Sequence, residues 1–174
     1  NVVLGARGGA PLRVTQTSPL RLALADTGGS FTGQIVVEGA PRQPGPVITA
    51  TRNDSLTFNQ TVAAGGEFTL ANLPSGKYTL SVEKPGYLAA TCAAATASPA
   101  TRLAPLTLRA GDVDGSGLID VADAVALGGM MNSPAPDLTL DYTADGLIDI
   151  LDLILLAANY GQSANQNPWP CRPL

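Results

Sequence analysis

A mainly β chain closing in a small α-helical part is the fold class predicted here, and three observations predict it. Between residues 31 and 108, short apolar-alternating runs are separated by Gly, Pro and Asn turns. Beyond residue 110, two twelve-residue stretches hold eight of the fourteen acidic residues. Each of these stretches leads into an apolar run of helical character. The 174 residues are enough for two small domains, and with 45% hydrophobic but only 5% aromatic residues the cores are expected to be aliphatic and modest.

In chain order, residues 1–29 read as an extended arm. Leu12 and Val14 alternate with Arg13 and Thr15, and Leu20, Leu22 and Leu24 alternate with Arg21, Ala23 and Ala25, while Pro19 prevents one continuous central strand. The arm either lines the edge of its own sandwich or adds a strand to a neighbouring copy, a contact that need not close and would build a filament. Strands are then expected at residues 31–38, 47–52, 55–62, 67–70, 76–83 and 102–108, a spacing that favours a small β-sandwich. Within it Phe68, Leu70 and Leu73 should face one core, Pro74 and Gly76 make a turn, and Tyr78, Leu80 and Val82 alternate on the next strand. Glu38, Glu67 and Glu83 read as solvated-face residues. The segment Gly-Glu-Phe-Thr-Leu-Ala-Asn-Leu-Pro-Ser-Gly-Lys-Tyr-Thr-Leu-Ser-Val-Glu-Lys-Pro-Gly-Tyr, residues 66–87, resembles the carboxypeptidase regulatory-like domain, a transthyretin-like, Ig-like sandwich. That resemblance spans about residues 30–108 and implies a noncatalytic spacer, adhesive or surface module.

The acidic stretches carry the chemistry. In residues 112–123, Asp112, Asp114 and Ser116 stand at positions 1, 3 and 5, Gly117 at 6, Leu118 at 7, Asp120 at 9 and Asp123 at 12. A hard cation such as calcium takes oxygen ligands at this spacing, with the position-7 carbonyl as one of them and the glycine allowing the sharp turn. Residues 141–152 repeat the pattern with Asp141, Thr143, Asp145, Gly146, Leu147, Asp149 and Asp152. Ordinary Asp/Gly turns share the composition, but two matches in register, each followed by an apolar run, favour two bound Ca2+ ions. Electrostatics agrees: nine acids and no Lys or Arg lie between Asp112 and Cys171, a density that repels itself without a cation. Ile119 at position 8 is expected to pair with its counterpart Ile148 in the second loop.

Both loops depart from the ordinary EF-hand. Position 12 is Asp rather than Glu, and residues 103–111 contain Pro105 and alternate like a strand, so no entering helix precedes the first loop. A duplicated loop with only its exiting helix resembles the dockerin, a calcium-binding module that docks into a cohesin, over about residues 111–161. The whole reading is therefore an arm at 1–29, a sandwich at 30–108, a two-helix dockerin-like module with paired EF-hand-type loops at 109–162 and a tail at 163–174. The resemblance places cohesin contacts at loop positions 10 and 11, here Val121, Ala122, Ile150 and Leu151; these are apolar where many dockerins carry small polar residues. Thr143 in place of a carboxylate predicts a weaker second site.

The exiting helices differ. After the first loop Val121, Ala124, Val125 and Leu127 form an apolar face that Gly128 and Gly129 weaken, whereas after the second Ile150, Leu151, Leu153, Ile154, Leu155 and Leu156 surround the axis until Gly161. So apolar a helix needs cover from the sandwich or from another protein.

Several functions are disfavoured. The chain has no His, no phosphate-cradling loop and no paired carboxylates outside the two stretches, so no enzyme is expected. Scattered basic residues argue against nucleic acid, and no run of eighteen apolar residues is present for a membrane span. The start at Asn1 without Met fits a processed product or a fragment, and outside the cell millimolar calcium would fill the loops while an oxidising milieu suits a bridge between Cys92 and Cys171. Such a bridge closes a loop of about eighty residues and stabilises by roughly 4–5 kcal/mol in the chain-entropy model. Asn53 and Asn59 lie in glycosylation sequons. The expected role is secreted or cell-surface assembly, with a cohesin-like domain or further copies of the same chain as partner. Carbohydrate binding by the sandwich is a third class, disfavoured by the scarcity of aromatics; Trp169 is expected to clasp the tail.

Overall fold

The computed structural model describes residues 28–39, 44–97, 99–133, 137–166 and 169. The arm expected at residues 1–29, with its strand-addition alternative, lies outside these but for its last two residues, as does Cys171.

Two sheets form a sandwich. In one, β1 (Gly29–Val37) is central: β4 (Glu67–Leu73) pairs with it antiparallel, while β8 (Thr101–Arg102) and β9 (Leu106–Leu108) pair with it in parallel, one after the other. In the other, the order is β3 (Thr57–Thr61), β2 (Val47–Arg52), β5 (Gly76–Glu83) and β7 (Ala90–Ala97), all antiparallel. Alternation sends Phe31 and Ile35 of β1, Ile48 and Ala50 of β2, and Tyr78, Leu80 and Val82 of β5 into the space between the sheets. On β4, Phe68 and Leu70 follow the same period, and Asn72, with φ 58°, resets it so that Leu73 is also buried. Tyr78 meets Phe31 edge-on at 5.8 Å, and its hydroxyl donates to Pro74 O at 2.6 Å, so the one polar atom of this central ring is satisfied.

The strands at 47–52 and 76–83 have the expected bounds. The expected strand at 102–108 is two short pieces, β8 and β9, with Pro105 between them. β7 was not anticipated: its Ala-rich sequence has little strand preference of its own, and pairing with β5 imposes the conformation.

A short ribbon carries the chain out of the sandwich. β10 (Ala110–Asp112) pairs antiparallel with β6 (Gly86–Tyr87). Gly111 sits at φ +127°, where a Cβ would press on Ile119 and on the Leu156 backbone. Two helices follow, α1 (Val121–Met130) and α2 (Ile150–Ala158), with 3-10 turns at Leu138–Leu140 and Ala164–Gln166. α1 runs through Gly128 and Gly129, and α2 ends at Asn159, two residues before Gly161 at φ +81°. Ile119, Leu127, Leu140, Tyr142, Ile148 and Leu156 belong to the same buried cluster as the sandwich core, so apolar contact is continuous from sheets to helices.

A polar junction reinforces it. Glu38, just after β1, accepts from the Ala110 amide at 3.1 Å, from Arg109 at 3.3 Å and from Asn159 Nδ2 at the end of α2. Asn159 Nδ2 also donates to Ala110 O at 2.9 Å and Leu155 O at 3.3 Å. The solvated role expected for Glu38 is therefore corrected: half-buried, it is the acceptor that joins sandwich, ribbon and helix. Glu67 and Glu83 are exposed.

Candidate metal centre

Each acidic stretch is a loop that leaves a short element, β10 or the 3-10 turn Leu138–Leu140, and whose last residues begin a helix. Asp112 is the final residue of β10, so the ribbon sets its position. Asp120 is the N-cap of α1: its side chain accepts from Ala122 N at 2.7 Å, and Asp123 answers by accepting from Asp120 N at 2.8 Å. That reciprocal pair is a capping box made with aspartates. Asp149 and Asp152 repeat it on α2, with Leu151 N donating to Asp149 at 2.8 Å and Asp149 N to Asp152 at 2.9 Å.

The loops close through further amides. Val113 N at 2.7 Å and Asp114 N at 3.1 Å donate to Asp123 Oδ1, Gly117 N donates to Asp112 and Ser116 N to Asp114. In the second loop Thr143 N donates to Asp152 Oδ1 at 3.1 Å, Gly146 N to Asp141 at 2.9 Å and Leu147 N to Asp145 at 2.9 Å. Gly117 and Gly146, at φ +80° and +97°, make the turn expected of position 6.

The first loop brings oxygens of Asp112, Asp114 and Asp123 within 4.8 Å of one another. Asp112 and Asp123 are buried, Asp114 is exposed. Burial, reinforced by the charges of Asp123 and Asp114, holds the Asp112 carboxyl above its ordinary pKa despite the Gly117 amide, whereas Ser116 lowers that of Asp114. Three carboxylates this close, with no basic residue in the segment, form a donor set that fits a hard, oxygen-seeking cation. Ser116 Oγ lies 3.1 Å from Leu118 O, and Asp120 stands at the helix start, so the remaining expected donors border the same loop. Among the described residues the second loop makes no such trio of acidic groups: Thr143 takes the place of Asp114, with its hydroxyl 3.4 Å from Asp141 Oδ1. Its Asp141 and Asp152 are fully buried, Asp145 is exposed, and Leu147 and Asp149 lead into α2.

The expected pairing of Ile119 with Ile148 is corrected at the backbone. Both residues are buried, but Ile119 N donates to Gln162 O at 2.9 Å and Ile119 O accepts from Gly161 N at 2.8 Å. Gly161 turns the chain after α2 back over the first loop, and Ala164 N donates to Gly117 O, so the segment after the helix saturates the groups a loop-to-loop pair would have used.

Beside the loops lies an apolar surface. Val121, Ala122, Ile150 and Leu151, the expected partner contacts, are all exposed. Val125 (70%), Ile154 (56%) and Leu147 (60%) extend the surface on the same two helices and the second loop. Only part of α2 is covered: Leu156 and Asp152 face inward. Val125, Leu147 and Ile154 were not singled out from sequence as contacts, because an apolar run does not say which of its faces the sandwich takes.

Trp169 is buried, donating from Nε1 to Ala104 O at 2.9 Å and standing edge-on to Phe68 at 6.1 Å. Cys92 is buried in β7. No helix among the described residues is long and apolar enough to cross a membrane.

No protein-family model and no curated protein matches the sequence. Solved structures do share the fold. A chain of the type II cohesin–X-dockerin complex from Acetivibrio cellulolyticus, in an N-terminal interface mutant, is similar at TM-score 0.67 and 18% identity over 79% of this chain and 99% of that one. The C-terminal interface mutant of that complex gives TM-score 0.63 and 19% identity over the same shares. A 5-hydroxyisourate hydrolase from Klebsiella pneumoniae is similar over 45% of this chain and 89% of its own at 16% identity, with a TM-score of 0.33. Residues 1–108 make up less than two thirds of the chain, so a likeness over 79% of it reaches past the sandwich into the loops and helices. The likeness establishes a fold: mainly β, built on a sandwich, with two helices.

Proposed function

We propose that the chain is a noncatalytic, calcium-stabilised assembly protein whose loop-and-helix part is dockerin-like and docks into a cohesin-type partner. The observation that carries this reading is the convergence of Asp112, Asp114 and Asp123, in a segment free of basic residues, at the start of a helix that exposes Val121 and Val125. In the first loop Asp112, Asp114, Ser116, the Leu118 carbonyl, Asp120 and Asp123 would hold one cation. In the second, Asp141, Thr143, Asp145, the Leu147 carbonyl, Asp149 and Asp152 would hold another. Bound calcium supplies the charge neutralisation that lets such a crowd of carboxylates pack at low cost. The capping boxes add that each position-12 carboxylate also orders the helix start, so filling a loop and fixing the helix that carries Val121 or Ile150 are one event. The likeness to a chain of a cohesin–X-dockerin complex, reaching past the sandwich, supports the same reading.

Secretion or cell-surface display belongs to this proposal, as does a Cys92–Cys171 bridge; among the described residues no cysteine is free, and Trp169, two positions before Cys171 in the sequence, donates to Ala104 O. Sugar stacking finds no support at Trp169, which is buried.

The test is calorimetry of the purified chain with calcium, followed by binding to a panel of type II cohesins with calcium and in chelator. Two equivalents taken up, and a cohesin captured only in calcium and lost in the Ile150→Asp/Leu151→Asp variant, are the expected results. Failure to take up calcium, or capture indifferent to chelator, would overturn the reading.

A further inference from the structure

We infer that Tyr142 is a positioning residue that ties the second loop to the sandwich, so that cation binding there and closure of the sandwich on the helices stabilise one another. This rests on the metal reading above. The two loops carry the same residue at ligand positions 1, 7, 9 and 12, but at position 2, which supplies no ligand, Val113 is partly exposed and Tyr142 is fully buried. The Tyr142 backbone lies between Asp141 and Thr143, whose amide closes on Asp152, so it forms part of the cradle. Its side chain leaves the loop altogether. The hydroxyl donates to Gly86 O at 2.9 Å, and the ring stands edge-on to Tyr87 at 5.3 Å and 79°.

The fit has no slack. A Cβ on Gly86 would lie 2.5 Å from Leu140 Cδ2 and 3.0 Å from the Tyr142 hydroxyl, and one on Gly39 would run into the Tyr142 carbonyl. Gly86 belongs to β6, whose partner β10 ends on Asp112, the first ligand position of the other loop. The tyrosine thus touches the ribbon from which the first loop departs.

Asp141 and Asp152 are buried in a loop that closes through the Thr143 and Gly146 amides, so opening that loop would draw Tyr142 off Gly86. Whatever the tyrosine contributes to the closed loop it contributes to ion affinity, and the ion returns the same to the sandwich contact, because coupling between two equilibria is reciprocal.

The experiment uses the full chain, comparing wild type with Tyr142→Phe, which removes only the hydroxyl. Calcium calorimetry should show one of the two binding constants weakened about 3- to 10-fold, the scale of one net hydrogen bond to a buried carbonyl, and the other unchanged. Hydrogen exchange at residues 84–90 should slow on adding calcium to wild type, and slow less in the variant. Unchanged constants in Tyr142→Phe, or exchange at 84–90 in wild type indifferent to calcium, would overturn the inference. Should the variant fail to fold, the wild-type exchange measurement decides alone. Wild type that takes up no calcium at all would instead strike the metal reading, and this inference with it.

Discussion

Replacing Asn159 by Ala tests the junction between sandwich and helices without touching a candidate ligand. Its amide nitrogen faces Glu38 Oε2, Ala110 O and Leu155 O, three acceptors for two hydrogens, and the residue is almost fully buried. Truncation leaves Ala110 O and Glu38 short of a donor at a place that water reaches poorly. Glu38 keeps the Ala110 amide and Arg109, and its side chain is partly exposed, so its loss is discounted. Two net hydrogen bonds at about 1 kcal/mol each, with a small cavity added, give a destabilisation of about 2–3 kcal/mol. For a protein of this size that corresponds to a fall in Tm of roughly 5–10 °C. Thermal unfolding in saturating calcium measures it, with Asn159→Asp as companion. The aspartate sets a second carboxylate against Glu38, so its pKa in the folded state is raised, and that variant should regain stability as the pH falls and the new carboxyl protonates. A fall in Tm of less than about 2 °C for Asn159→Ala would refute the view that this contact joins the two parts.

Other expected outcomes concern the loops and the surface. Chelator should lower Tm, since an ion held at one hundred times its Kd stabilises by about 2.7 kcal/mol per site; an unchanged melt would refute metal stabilisation. Thr143→Asp should strengthen the weaker calcium constant by roughly tenfold by restoring the missing carboxylate, and calorimetry would show no gain if the second loop binds nothing. Ile150→Asp with Leu151→Asp should leave Tm within a degree or two, because both side chains are exposed, while abolishing partner capture. Arg52 donates to Asp54 at 2.6 and 2.9 Å and holds its pKa down to about 2. The pair's contribution is therefore present above the carboxylate's unfolded pKa and lost as pH falls towards about 2, which NMR titration of Asp54 would follow.

Local chemistry was legible because its signals are short in sequence. In each loop the ligand spacing, the position-6 glycine (117 or 146) and the aspartate that doubles as N-cap lie within twelve residues of one another. Strands such as β2 and β5 were legible through strict alternation, and Phe68 and Leu70 are buried as that pattern required, while Leu73 is buried only because Asn72 breaks it. β7 was not, since its alanines and threonines carry no decisive preference and take strand form only through β5.

By itself, then, the amino-acid order determined the class of fold, the sandwich core and the placement of twelve candidate donors along two loops, because periodicity and spacing are properties of neighbouring residues. Only the tertiary structure decided that the chain after α2 returns to Ile119, that Glu38 and Asn159 meet, that Tyr142 reaches Gly86, and which face of α2 stays open. These contacts join residues far apart in the chain, and no local preference encodes them; they arise when burying one side of a largely apolar helix fixes what its other side is free to meet.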